Sequence, residues 1–287
     1  MSRIAYVNGR YLPHAQATVS IDDRGFQFAD GVYEVCEVRE ARIIDEPRHF
    51  ARLARSLKEL RMTAPMNDAC LRVVVSEVAR RNRVRNGLVY IQITRGVARR
   101  EFVFPEPDVV PTLVVTARPQ DLATLESTAE TGISIVTVPE SRWSRVDIKT
   151  TGLLPNVLAK MHAKASGARE AWFVDREGFV TEGGSSNAWI ITRDDVLITR
   201  PAEYGILRGV TRTTLFDLAR QEGLRIEERG FTVEEAKVAK EAFITSATTI
   251  VTPVIQVDSV LIGGGKPGPL AKRLRQNFHA SASSRPL

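Results

Sequence analysis

The sequence predicts an α+β chain organised as two domains, and three observations carry that expectation. Strand-like alternation and helix-like periodicity interleave within the first 118 residues. A polar stretch with a proline, Arg118-Pro119-Gln120-Asp121, then interrupts the apolar pattern. Beyond it short apolar runs dominate, broken by three helical patterns. The expected division is a small α+β domain at 1–118, a linker at 119–123 and a larger, β-rich domain at 124–287.

The chain opens with a hairpin. Tyr6-Val7 and Arg10-Tyr11-Leu12 flank Asn8-Gly9, a pair that tolerates the two positive φ angles of a tight type I′ turn. Val32–Val38 alternates, which predicts a strand with even and odd positions on opposite faces. Residues 48–61 switch to the helical period, with Phe50, Leu53, Leu57 and Leu60 on one stripe. A second helix is expected at 68–82, capped by Asn67, and strands at Leu88–Arg95 and Pro111–Ala117 complete the first domain. The second is expected to hold strands at Ile133–Val138, Glu170–Val174, Ala188–Ile191, Val196–Thr199 and Ala242–Ser246. Its helices are expected at 155–167, 211–222 and 233–239, and the tail from His279 is expected to fray.

Composition narrows the function classes. With 43% hydrophobic and 26% charged residues, the 287-residue chain has enough apolar material for a folded core. No apolar run is long enough to span a membrane, and the N-terminus lacks the apolar region of a signal peptide, so a cytoplasmic protein is expected. The net charge of +6 is spread along the chain without a basic run or an aromatic–basic RNA motif, which argues against nucleic acid. Two cysteines, Cys36 and Cys70, make no disulfide framework, and four isolated histidines make no metal spacing. The glycines at 263–268 lack the lysine–hydroxyl pair of a phosphate loop and read as a flexible turn.

Three places carry more chemistry. Gly209-Val210-Thr211 precedes an amphipathic helix ending at Gly223, so backbone N–H groups and a hydroxyl meet at a helix start. Ordinary capping by Thr211 accounts for the same residues. Thr181-Glu182-Gly183-Gly184-Ser185-Ser186-Asn187 sets one acid among small residues between two apolar strands; a polar turn is the plain alternative. Asp147-Ile148-Lys149-Thr150-Thr151 places a lysine among small and apolar residues, where its pKa would be open to depression. Lys160 and Lys164, four apart on the next helix, read as solvated. A lysine, a buried acid and an anion-binding helix start are together what pyridoxal phosphate requires.

These motifs, in this order, resemble those of the class IV aminotransferases, the fold-type IV pyridoxal-phosphate enzymes, and within them most closely the D-amino acid aminotransferases. The resemblance rests on YVNGRYLP (6–13), DRGFQFADGVYEV (23–35), HFARLARSL (49–57), YIQITRG (90–96), DIKTTGLLPNVLAK (147–160), TEGGSSNAW (181–189), GILRGVTR (205–212) and TPVIQVD (252–258). It implies a two-domain fold like that of the D-amino acid and branched-chain aminotransferases, with pyridoxal 5′-phosphate held between the domains and 124–287 as the cofactor-binding domain, in a homodimer. It implies a ping-pong transfer of the amino group of a D-amino acid to a 2-oxo acid, either 2-oxoglutarate or pyruvate.

The resemblance also assigns roles. Lys149 matches the lysine that binds the cofactor covalently and moves the proton, and Glu182 the partner of the pyridine nitrogen. Arg52 matches a phosphate-binding arginine, although helical periodicity alone puts it on a solvated face. Val210 and Thr211 match the phosphate-binding helix start, and Leu207 the residue packed on the ring. Ala247 stands where relatives carry a phosphate-binding threonine, so Ser246 or Thr248 is expected to supply the hydroxyl. Tyr33 and Arg100 match binders of the substrate carboxylate. Phe102 replaces the histidine of an Arg-x-His pair, which removes a polar contact and leaves (R)-amine aminotransferase and aminodeoxychorismate lyase as alternatives. A branched-chain aminotransferase is a further alternative, although Tyr90-Ile91-Gln92 lacks the Tyr-x-Arg of that group.

Overall fold

The computed structural model describes residues 3–203 and 205–287. The chain divides into two units. The first comprises the chain through Asp121 together with Ile148–Gly152 and Ser283–Leu287; the second comprises Leu122–Asp147 and Leu153–Ala282.

The first unit begins with the expected hairpin of β1 (Ile4–Val7) and β2 (Arg10–Pro13), turned by Asn8 at φ 44° and Gly9 at φ 91°. A short helix α1 (Arg24–Phe28) leads into β3 (Gly31–Arg39) and β4 (Arg42–Ile44). Helix α2 (Glu46–Glu59) follows, then α3 (Asp68–Arg81), where the Asn67 side chain accepts from the Cys70 amide at 2.9 Å as a cap should. Strands β5 (Gly87–Thr94) and β6 (Thr112–Pro119) complete the run. The sheet is antiparallel throughout, in the order Ser284–Pro286, β4, β3, β5, β6, β1, β2.

Two short segments reach this sheet from far along the chain, against expectation. β4 pairs only Val38 and Arg39 of β3, so the other end of that strand edge is open. The segment around Lys149 fills it: Thr150 bridges Val32, and the Tyr33 amide donates to the Lys149 carbonyl at 3.0 Å. The expected frayed tail is a correction. Residues to Ser281 are helical, and Ser284–Pro286 pairs with β4 while Arg285 makes a two-pronged contact with the buried Glu46 at 2.6 and 3.0 Å. The expected linker at 119–123 is not an open spacer either. Pro119 ends β6, the Gln120 amide donates to the Asn86 carbonyl, and a helix starts at Leu122.

The second unit runs α4 (Leu122–Thr131), β7 (Ile133–Pro139), α5 (Leu154–Ala165), β8 (Glu170–Val174), β9 (Val180–Gly183), β10 (Asn187–Ile191) and β11 (Leu197–Thr199). It continues through α6 (Val210–Gln221), β12 (Ile226–Glu228), α7 (Val233–Val238), β13 (Glu241–Ser246), β14 (Ile250–Val257), β15 (Val260–Leu261) and α8 (Pro269–Ser281). Its nine-stranded sheet is mixed, in the order β12-β11-β10-β13-β14-β7-β8-β9, with β15 beside β14. The glycine-rich 263–268 ends at the start of α8, whose Leu270 and Ala271 amides donate to the Glu241 carboxylate at 3.1 and 2.9 Å. A carboxylate already occupies that helix start, so it is no phosphate cup.

Candidate active site

Alternation along β3 divides the first unit's sheet into two unlike faces. Val32, Cys36 and Val38 lie in the core with Val89, Ile91 and Ile93 of β5. The opposite face carries Tyr33 and Val35 with Tyr90 and Gln92, all only half-buried. Tyr33 and Tyr90 stack with centroids 5.5 Å apart, and the Lys149 ammonium lies 4.1 Å from the Tyr33 ring centroid. Lys149 and Tyr33, two of the residues singled out from sequence, are thus brought together.

Glu34 shares the parity of the core face and is fully buried, which demands compensation for its charge. Arg52 supplies it through a fork, Nε to Oε1 and Nη2 to Oε2, both 2.7 Å, and His49 Nδ1 lies 2.7 Å from Oε2. Burial alone raises the Glu34 pKa, but the Arg52 charge and the hydrogen bonds outweigh it and hold the carboxyl at about 2. Glu34 is therefore ionised and acceptor-only, so His49 donates. The solvated position that periodicity gives Arg52 is corrected: its side chain is 10% exposed, because the acid on the neighbouring strand draws it inward. Sequence reasoning missed Glu34 and His49. The signal was an acid in phase with Val32, Cys36 and Val38, opposite a helix offering both bases.

In the second unit Glu182, on β9, is buried within a set of donors. The Leu207 amide lies 3.1 Å from both its oxygens, Asn187 Nδ2 donates to Oε2 at 3.0 Å, and Arg142 Nη1 donates to Oε1. Arg142 is shared with Glu140, at 2.9 and 2.6 Å. Burial lowers the Arg142 pKa, and these two carboxylates more than reverse that, so the net shift is upward. Asn187 Nδ2 also donates to the Leu207 carbonyl at 2.9 Å, tying the acid to the turn that carries Leu207. Gly209 makes this possible, since a Cβ there would stand 2.1 Å from Asn187 Oδ1.

Gly209, not Thr211, is the N-cap of α6, and no side chain caps this helix start. The first-turn amides, those of Val210 and Thr211 among them, lack intrahelical acceptors by the geometry of any helix and so suit an anion. Ser246 Oγ lies 3.0 Å from Thr248 Oγ1 and 2.9 Å from Thr249 Oγ1, so three hydroxyls gather beside Ala247. Thr249 was not foreseen. Glu182 is the one acid of its motif, but a second acid meets it from β8: buried Glu170 accepts from Ser185 and Ser186 at 2.9 and 3.2 Å and pairs with Lys160 at 3.1 Å. Lys160 is thus not simply solvated, whereas Lys164 is exposed as expected.

Arg100 and Phe102 gather on the Phe28 ring. Arg100 is exposed with its guanidinium 5.2 Å from the Phe28 ring centroid, and Phe102, 87% exposed, leans on the same ring. Arg24 holds this loop by donating to the Glu101 carbonyl at 2.7 Å, itself anchored on Asp30 at 2.8 Å. Among the described residues Arg100 has no hydrogen bond or ion pair to Tyr33 or Lys149, and the ring over which its guanidinium lies is Phe28.

A model of the family described as Amino-transferase class IV matches residues 31–257. The chain is 38% identical to a D-alanine aminotransferase of Staphylococcus haemolyticus over 280 residues, 98% of each chain. It is 38% identical to a D-alanine aminotransferase of Bacillus licheniformis over 277 residues, 96% of each chain. Among solved structures, a branched-chain aminotransferase from the archaeon Thermoproteus uzoniensis with norvaline aligns with a TM-score of 0.84 at 26% identity, covering 97% of this chain and 94% of that one.

Proposed function

The chain belongs to the class IV aminotransferases, and from that premise we propose that it transfers the amino group of a D-amino acid, D-alanine first among them, to 2-oxoglutarate or pyruvate on pyridoxal 5′-phosphate. The observation that supports this reading most is Lys149 over Tyr33 on the polar face of a sheet whose other face is core. The residues suit the cofactor chemically. An uncapped helix start and clustered hydroxyls suit its phosphate, a buried carboxylate its pyridinium and a lysine amine its aldehyde.

Once bound, the cofactor supplies an electron sink that lets the substrate Cα–H bond break. Lys149 Nζ would hold the cofactor through its aldehyde and would serve as the base for the substrate Cα proton. Glu182 keeps the proton on the pyridine nitrogen, its carboxylate oriented by Arg142, Asn187 and the Leu207 amide. The side chain of Leu207 would pack against the bound ring. Arg52, set by Glu34, would be a phosphate ligand of the first unit, and Val210, Thr211, Ser246 and Thr248 would be those of the second. Tyr33 would meet the substrate carboxylate through its hydroxyl, and Arg100, over the Phe28 ring, would attract it by charge. The test is a spectrophotometric screen of the purified protein with D-alanine, D-glutamate, L-leucine and an (R)-amine against both oxo acids. Preferential turnover of the D-amino acids is expected; turnover confined to L-leucine or the amine would overturn the reading.

A further inference from the structure

Gln92 stands directly opposite Tyr33 in the β3–β5 register, so both side chains leave the sheet on the same face, beside Lys149. Its neighbour on that face, Tyr90, donates its hydroxyl proton to Gln92 Oε1 at 2.6 Å. To donate there, the phenol must hold its proton. Burial, then the nearby Tyr33 hydroxyl, push the Tyr90 pKa up to about 12, so the phenol keeps its proton at any working pH. A bond in which the phenol donates fixes the amide, because the acceptor must be oxygen and the NH2 group must point the other way. Among the described residues Nε2 has no protein acceptor, although the side chain is half-buried. Two N–H donors are thus held in one orientation on a half-open face, available to a ligand.

We propose that Gln92 is a specificity-determining residue whose Nε2 group, together with the Tyr33 hydroxyl, receives the α-carboxylate of the amino-acid or oxo-acid substrate, and that Tyr90 positions it. The inference rests on the reading of Lys149 and Tyr33 as the reacting face. It explains how a chain with Phe102 in place of a polar side chain still offers a carboxylate two donors from its own sheet. The pair is neutral, so it orients a carboxylate without a buried counter-charge, and a donor with no carboxylate gains nothing from it.

The test compares the wild-type holoenzyme with Gln92→Leu, Gln92→Glu and Tyr90→Phe. Gln92→Leu is expected to raise KM for D-alanine, D-glutamate and pyruvate alike by about 10- to 100-fold with a smaller change in kcat, the cost of a lost hydrogen bond to a charged group. Gln92→Glu is expected to be worse, since it sets a like charge against the carboxylate. Tyr90→Phe frees the amide to rotate and is expected to cost about 3- to 10-fold in the same parameter. The dissociation constant of propionate, a carboxylate that cannot react, should rise in parallel, and the (R)-amine half-reaction should not change. Unchanged KM and propionate affinity in Gln92→Leu would overturn the inference while leaving transamination intact. An effect confined to D-glutamate would move Gln92 to a distal carboxylate and overturn the α-carboxylate assignment. A wild type inactive on every carboxylate donor would overturn the proposed function, and this inference with it.

Discussion

The two faces of the first unit's sheet are made from the same strands and do opposite work. On one, Val32, Cys36, Val38, Val89, Ile91 and Ile93 are closed off from water. On the other, one residue along in each strand, Tyr33, Tyr90 and Gln92 stay half-open with the Lys149 amine above them. The period of two lets one backbone carry a closed core face and a half-open polar face. Glu34 is the exception that joins the faces: it sits on the closed side, yet it fixes Arg52 and lies between Tyr33 and Val35. Substitutions on the closed face should therefore cost stability and spare turnover, and those on the open face should do the reverse.

The largest expected effect breaks the open face. Lys149→Ala should lower turnover on the order of 10⁴-fold or more, because covalent attachment and proton transfer are both lost. Its thermal midpoint without cofactor should stay at the wild-type value, as measured by calorimetry. The mirror-image test is Ile91→Ala, which removes a fully buried side chain from the closed face. It should destabilise the protein by about 2–5 kcal/mol in urea unfolding while kcat/KM per folded molecule is unchanged. A drop in kcat/KM as large as the loss of stability would mean that the faces are not separable.

Glu34 sharpens the comparison through pH. Its folded pKa of about 2 lies below the ordinary 4.5, so the stability it confers is present above pH 4.5 and is lost as pH falls toward 2. The full effect is on the order of 3 kcal/mol. Glu34→Gln should be less stable than wild type at neutral pH and should flatten the acid limb of the stability curve. Identical acid limbs would show that another carboxylate governs that range. A smaller effect on the open face is expected at Arg100, which is exposed with its guanidinium over the Phe28 ring. Arg100→Ala should cost about 2 kcal/mol in kcat/KM for carboxylate donors, near 30-fold, and nothing for an (R)-amine. Equal losses for both would refute its carboxylate role.

Much of this was legible where local chemistry decides. Asn8-Gly9 specified its turn, Asn67 its cap, and the alternation through Val32–Val38 its strand. The motifs around Lys149 and Glu182 marked the base and the acid that matter most to the proposed site. What the sequence hid was decided at a distance. Residues 148–152 and 283–287 are too short to declare themselves; open edges of β3 and β4 recruit them. Strand β14 was not foreseen, and it accommodates Pro253 because the ladder with β7 begins only at Val254, so the missing N–H is not needed there. Helix α8 did carry a signal, with Leu270, Leu274 and Phe278 four apart behind Gly268-Pro269, and it was overlooked. Arg52 shows the limit of periodicity: hydrophobic spacing cannot say that an outward-facing position will be drawn in by a buried acid two elements away.

The central claim is that Lys149 is the amine that carries the cofactor, and covalent trapping tests it without relying on turnover. Holoenzyme reduced with sodium borohydride and digested should yield one peptide bearing the phosphopyridoxyl group, with the added mass on Lys149. Recovery of that mass on Lys160 or any other lysine, or an unmodified Lys149 in protein that has retained the cofactor, would contradict the account.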